Sequence, residues 1–246
     1  MSKKPETLMH KLCKITYFAF FMQYVVNCIF YAMDMVVVMA DIIGSSKKKA
    51  TALMKCFRET VEKVNRINKD SILSPLTITL GDEFQGIAKT PEAAMQVVFS
   101  VEKLARQSKV PFKLRVVVHE GRIDTKINRQ KAYEMLGPGL SEARERLTSM
   151  KTSRGRFQIS LKDEALSTKL SLGMSVYQGI VDQWTPAQLK VVNAFEVKSD
   201  YRDVAKLVKR DPTVIWKRKR SLMIEEYNNI MKLIMMTINP GWKAVF

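Results

Sequence analysis

Histidine is nearly missing: His10 and His119 are the only two in 246 residues. A Ser-His-Asp triad or a histidine-based metal site is therefore close to excluded. Cysteine is scarce as well. Cys13, Cys28 and Cys56 are scattered without paired spacing, so neither a disulfide framework nor a zinc motif is visible. A reducing compartment, the cytoplasm, suits that usage. Acids are outnumbered, 24 against 41 Lys and Arg, which leaves a formal net charge of +17. Such an excess points to an anionic partner, nucleic acid or a membrane surface, or else reflects a lysine-rich proteome. Apolar residues are not in short supply. At 46% they are ordinary for a globular chain, and the length allows one good core and a smaller second unit.

One long apolar run stands apart, from Ile15 to Met33, interrupted strongly only by Gln23 and Asn27 and preceded by Lys3, Lys4, Lys11 and Lys14. It has roughly the length of a membrane span. The positive-inside rule would then keep the N-terminus in the cytosol and export everything after it. The rest of the chain points to cytosolic ligands, so the two readings conflict. Three resolutions stay open: a genuine anchor, an extra helix packed on the domain, or a stretch ahead of true initiation at Met33 or Met35. The third is preferred, because Met33-Asp34-Met35-Val36-Val37-Val38 begins directly with a buried-strand pattern. A membrane partner is expected only if residues 15–33 are an anchor.

From there the periodicity divides the chain. Residues 35–40 are a continuous apolar run suited to a central strand. Ala50, Leu53, Met54, Phe57, Val61, Val64 and Ile67 recur at helical spacing. Residues 74–80 alternate as a strand, Gly81-Asp82 turns, and Phe84 to Ala88 returns. Thr90-Pro91-Glu92 opens a helix to about Gln107. Phe112 to His119 is a strand, a helix begins near Pro138, and Arg156 to Ser160 is a last strand. The order β-α-β-β-α-β-α-β predicts an α+β fold, a ferredoxin-like sheet with helices on one face. The expected units are an N-terminal apolar extension over 1–34, the α+β domain over 35–160, a connector over 161–183 and a small all-α basic domain over 184–246. In the last unit Thr185-Pro186-Ala187-Gln188 and Asp211-Pro212 are capping signatures, and three short helices with tight turns suggest a helix-turn-helix.

Two aspartates carry the chemistry. Asp41 follows the first strand and Asp82 sits at the hairpin tip. In a ferredoxin-like sheet that hairpin lies beside the first strand, so the carboxylates can approach. At about 4 Å and an effective dielectric near 20, they would repel by roughly 4 kcal/mol. A hard divalent ion such as Mg²⁺ relieves this and bridges to phosphate. Gly44, Ser45 and Ser46 could add backbone N–H groups at the start of the next helix. Each motif alone has a plainer reading, since Asp caps helices and Gly-Asp is a common turn pair.

Together the motifs are more specific. Asp41-Ile42-Ile43-Gly44-Ser45, Gly81-Asp82-Glu83-Phe84-Gln85-Gly86, His119-Glu120-Gly121 and Gly137-Pro138-Gly139-Leu140-Ser141-Glu142-Ala143 resemble the SatD family of bacterial proteins, a likeness extending into Trp184-Thr185-Pro186. Over about residues 35–150 the same order resembles the catalytic domain of class III nucleotidyl cyclases. That resemblance implies metal binding at Asp41 and Asp82 with the Ile42 carbonyl as a further ligand. It puts the base-reading pair at Ile78 and Glu134, and the transition-state Asn and Arg at Ser141 and Glu145. Ile78 cannot hydrogen-bond, and an acid at Glu145 opposes a developing phosphate charge; loss of one such donor costs a factor of about 10²–10³ in rate. His119 reads as a structural residue at a strand end.

The C-terminal region holds Lys206, Lys209, Arg210, Lys217, Arg218, Lys219 and Arg220 with Asp211 as the only acid among them. In a helix-turn-helix, Lys217 to Arg220 would lie on the helix that enters the major groove. A solvated basic helix, a protein partner, or a homodimer through Ile224, Tyr227, Ile230, Met231 and Ile234 are the other readings. The expectation is a cytoplasmic SatD-like regulator that binds a nucleotide or phosphate through Mg²⁺ and binds DNA. The alternatives are a metal-dependent nucleotidyl enzyme and a non-catalytic partner-binding module.

Overall fold

The computed structural model describes residues 33–44 and 50–242. Apart from Met33, the N-terminal apolar run lies outside them. Among the described residues no helix is long and apolar enough to cross a membrane.

The chain runs β1 (Met33–Ile42), α1 (Ala50–Ile67), β2 (Ile72–Ile78), β3 (Glu83–Ala88), α2 (Pro91–Gln107), β4 (Leu114–Ile123), α3 (Pro138–Ser149) and β5 (Phe157–Ser160). Five helices follow: α4 (Glu164–Val181), α5 (Pro186–Phe195), α6 (Tyr201–Val208), α7 (Pro212–Ser221) and α8 (Ile224–Ile238). The sheet order is β2-β3-β1-β4-β5. Neighbours are antiparallel except β4 and β5, which are parallel. The order β2-β3-β1-β4 is that of a ferredoxin-like sheet, and β5 extends it.

The expectation of helices on one face is corrected. Val36, Val38, Ala40 and Ile42 pack under α1 and α2, while Val37 and Met39 pack with Val117, Ala143, Leu147 and Met150 on the other side. α3 therefore covers the second face. The physical reason is the continuous run Val36-Val37-Val38 and its neighbour Val116-Val117-Val118, whose side chains alternate between faces and need apolar cover on both. Close packing of α3 depends on two glycines. A Cβ on Gly121 would meet the Cα of Gly139 at 2.6 Å, and one on Gly139 would meet the Gly121 backbone at 2.6 Å. Strand and helix start touch there, so two of the motifs quoted above form one packing contact.

Caps set the helix starts. Thr90 accepts from the Ala93 N–H at α2, and Asp211 accepts from the Thr213 and Val214 N–H groups at α7. The expected connector 161–183 is mostly α4, which buries Leu170, Met174, Tyr177, Ile180 and Val181. The core on the α1–α2 face runs without a break into α4–α8. A buried polar hub crosses that junction. Arg106 on α2 donates to the Tyr177 hydroxyl on α4 at 2.9 Å, to Glu196 after α5 at 2.9 Å and to the Tyr227 hydroxyl on α8 at 2.8 Å. Arg156 donates to both oxygens of Glu102 at 2.8 and 2.9 Å and to Asp182 at 3.0 Å.

Candidate functional site

The strand register builds the site. Asp41 pairs with Glu83 on β3 and with Arg115 on β4. Register partners in an antiparallel sheet share a face, and here it is the α3 face. At the same end the Ile42 N–H donates to the Asp82 carbonyl at 3.0 Å, and the Ile43 N–H to the Lys113 carbonyl at 2.9 Å. The hairpin turns at Gly81, whose φ of +73° favours glycine. The backbones of the two aspartate stretches thus meet. Asp41 and Ile42 are buried, and Asp82 is half-buried.

Cations converge on this end. Nη1 of Arg115 lies 3.1 Å from each Asp41 oxygen. Lys151 Nζ stands 3.9 Å from Asp41, and Arg144 Nη1 on α3 stands 3.2 Å from Glu83. Arg144 also donates to Gln85 at 3.4 Å. Sequence reasoning gives none of the three cations a role; Arg144, beside Glu145, is set aside there because helix neighbours point roughly 100° apart. The signal for Arg115 was a single charge heading the apolar run Leu114 to Val118.

Other candidate positions lie elsewhere. Gly44 is exposed with φ +71°, in the turn after β1. Ser45 and Ser46 fall outside the described residues. Ile78 is half-buried against the core, and its carbonyl accepts from the Tyr133 hydroxyl. Glu134 is exposed and pairs with Lys131 at 3.5 Å. Ser141 and Glu145 are exposed, on the face of α3 turned away from buried Ala143 and Leu147. His119 is buried, with Nε2 2.8 Å from Glu142.

Asp41, Asp82 and the Ile42 carbonyl are hard oxygen donors of the kind Mg²⁺ takes. Among the described residues no group of three or more His, Cys, Asp or Glu side chains is placed to hold a metal. Mg²⁺ commonly uses one or two carboxylates with phosphates completing the shell, so donors of this kind would suit it only together with a phosphate ligand.

The helical unit has its own charge geometry. α7 buries only Ile215. Thr213, Trp216, Lys217 and Arg220 recur at i, i+3, i+4 and i+7 and are exposed together. Arg220 stacks over Trp216 at 5.5 Å. Lys219 instead turns to Glu225 at 2.8 Å, and Arg218 lines a groove of about 690 Å³ between α5 and α7.

An α+β sheet protein with a charged cluster at one sheet end and a basic helical extension is the class these features define. The chain belongs to the SatD family, whose model matches residues 35–232. No curated protein matches it significantly. Among solved structures it is similar to a bacterial light-regulated adenylyl cyclase, at 11% identity and a TM-score of 0.42, over 63% of this chain and 82% of that one. It is similar also to the dimeric guanylyl cyclase domain of the RhoGC fusion protein from the aquatic fungus Blastocladiella emersonii, at 14% identity and a TM-score of 0.39, over 52% of this chain and 79% of that one.

Proposed function

We propose that this SatD family member is a cytoplasmic regulator that binds a nucleotide or other phosphate ligand through Mg²⁺ at the end of β1 and binds DNA through α7. The observation that carries the ligand half is the gathering of Asp41, Asp82 and Glu83 with Arg115, Arg144 and Lys151 at one sheet end. Acids alone would suit a cation, and cations alone a bare anion. Both together suit a phosphate that arrives with a metal. Asp41, Asp82 and the Ile42 carbonyl would hold Mg²⁺, which when bound neutralises and orients phosphate oxygens. Arg144 and Lys151 stand where they can take other phosphate oxygens, and the turn at Gly44 can offer a backbone N–H.

Titration of the full chain with ATP and GTP, with and without Mg²⁺, tests this. Binding should require Mg²⁺ and weaken at least about tenfold on Asp41→Ala or Asp82→Ala, the scale of one lost charge-assisted contact. Binding unaffected by either substitution removes the pocket from the reading. A cyclic or pyrophosphate product in the same incubation would make the protein an enzyme, against the exposed Glu145 on the outer face of α3.

The DNA half rests on α7, a helix that gives up one side chain to the core and presents Thr213, Trp216, Lys217 and Arg220 as one face. In a helix-turn-helix this face would enter the major groove. Replacing Lys217 and Arg220 by Gln should lower duplex affinity and flatten the log-affinity against log-salt plot by about 1.8, at about 0.9 per lost phosphate contact. Lys219→Gln should change it less, because Lys219 is already paired. A gel-shift salt series indifferent to the first pair takes DNA out of the proposal.

A further inference from the structure

Asp41 already has a cation. Arg115 caps both carboxylate oxygens from one nitrogen, 3.1 Å from each. The sheet imposes this pairing, because the two residues are register partners on neighbouring strands. The Arg115 side chain is only 18% exposed, so it lies under its neighbours. Lys151, at 3.9 Å, is 53% exposed and can swing into solvent. The two cations therefore differ in kind: Arg115 is built in, and Lys151 is loosely held.

A divalent ion on Asp41 needs an oxygen at about 2.0–2.1 Å. Each oxygen keeps lone pairs that Arg115 does not use, but a divalent ion there would stand a few ångströms from the guanidinium, and two such cations repel. Phosphate changes the balance. It offers anionic oxygens to the metal and to the guanidinium at once, and a guanidinium pairs with phosphate as readily as with carboxylate.

We propose that Arg115 is a resident counter-ion that makes the site accept a metal–phosphate ligand and refuse the bare metal. The inference rests on the ligand reading above. Arg115 holds Asp41 until Mg²⁺ arrives with a polyphosphate, then yields a carboxylate oxygen to the metal and takes a phosphate oxygen in exchange. No covalent bond changes. The consequence is reciprocal coupling: nucleotide tightens the metal, and metal tightens the nucleotide.

The test uses the full chain, Mn²⁺ read by electron paramagnetic resonance, and a non-hydrolysable ATP analogue. In the wild type Mn²⁺ should bind weakly alone and about tenfold or more tightly with the analogue, within the ordinary range of coupling. Arg115→Gln should tighten Mn²⁺ alone by about tenfold, weaken the analogue and bring the coupling close to one. Arg115→Lys keeps the charge but cannot cap both oxygens in the same way, so it should fall between; it carries the test if the Gln variant does not fold. If neither substitution moves Mn²⁺ affinity while Asp41→Asn still abolishes Mn²⁺–analogue binding, Arg115 is only a structural partner. The inference then falls and the ligand reading stands. A wild-type chain that binds neither Mn²⁺ nor analogue overturns both.

Discussion

Two clusters of acid and guanidinium sit at different depths in this protein, and their difference separates structure from function. The hub around Arg106 and Arg156 is sealed in the core. Glu102, Arg106 and Arg156 are all buried, and Tyr177, Tyr227, Glu196 and Asp182 take up their charges. Trp184 and Tyr227 also lie against Arg106, with its guanidinium 5.4 and 5.5 Å from the ring centres. The cluster at Asp41 has the same chemistry but opens outward: Arg144 is 40% exposed and Lys151 more so. The two guanidiniums of the hub are enclosed, and Lys103 and Lys113 reach its acids from the surface. The Asp41 cluster, with exposed cations beside a buried acid, can exchange a partner. Buried salt bridges are weak evidence of net stability, yet removing one partner is costly because the others are left uncompensated.

The largest effect expected from this contrast is at the hub. Arg106→Ala takes from Glu196 its buried cation in the junction between the sheet domain and α4–α8, while Glu102 keeps Arg156, and should cost about 3–5 kcal/mol of stability. A denaturant melt measures it. Arg106→Ala with a midpoint close to wild type would mean that water reaches the junction, and the distinction between the clusters would fail.

How far could the sequence tell the two apart? The strands, the hairpin and the helix caps were legible because each is a local pattern: apolar runs, Gly81-Asp82, Thr90-Pro91 and Asp211-Pro212. The two-sided cover of the sheet was legible in principle. Val36-Val37-Val38 and Val116-Val117-Val118 cannot be satisfied by helices on one face, but α3 carries so few apolar residues that it gave no sign of the second. Asp41 and Asp82 stood out, whereas Arg115 needed the β1–β4 register to become Asp41's partner. The hub was not legible at all. The Arg106 bonds join residues 71 to 121 positions apart and those of Arg156 to acids 26 and 54 positions away, and no local spacing reports that. The motif pair His119-Glu120-Gly121 and Gly137-Pro138-Gly139 carried the family resemblance, and Gly121 and Gly139 are accounted for by backbone contact. The basic run Lys217 to Arg220 could have been resolved by a helical wheel, which already separates Lys217 and Arg220 from Lys219.

A smaller effect sharpens the same comparison through pH. The Tyr177 hydroxyl accepts from Arg106 in a fully enclosed position. Burial pushes its pKa up, Arg106 pulls it down and Glu102 pushes it up again, to about 12 from an ordinary 10. Burial raises Tyr227 as well. For a group whose folded pKa lies above its unfolded value, the stabilisation is fully present below the unfolded pKa and is lost as pH rises through the folded one. Stability should therefore decline between about pH 10 and 12. Tyr177→Phe should lose a hydrogen bond to a charged group at neutral pH, about 1.5–3 kcal/mol, and show a shallower alkaline decline. Urea midpoints taken every half unit across that window read both. An alkaline slope identical in the variant and the wild type would place the Tyr177 phenol in contact with solvent, and the hub would then share the openness that distinguishes the Asp41 site.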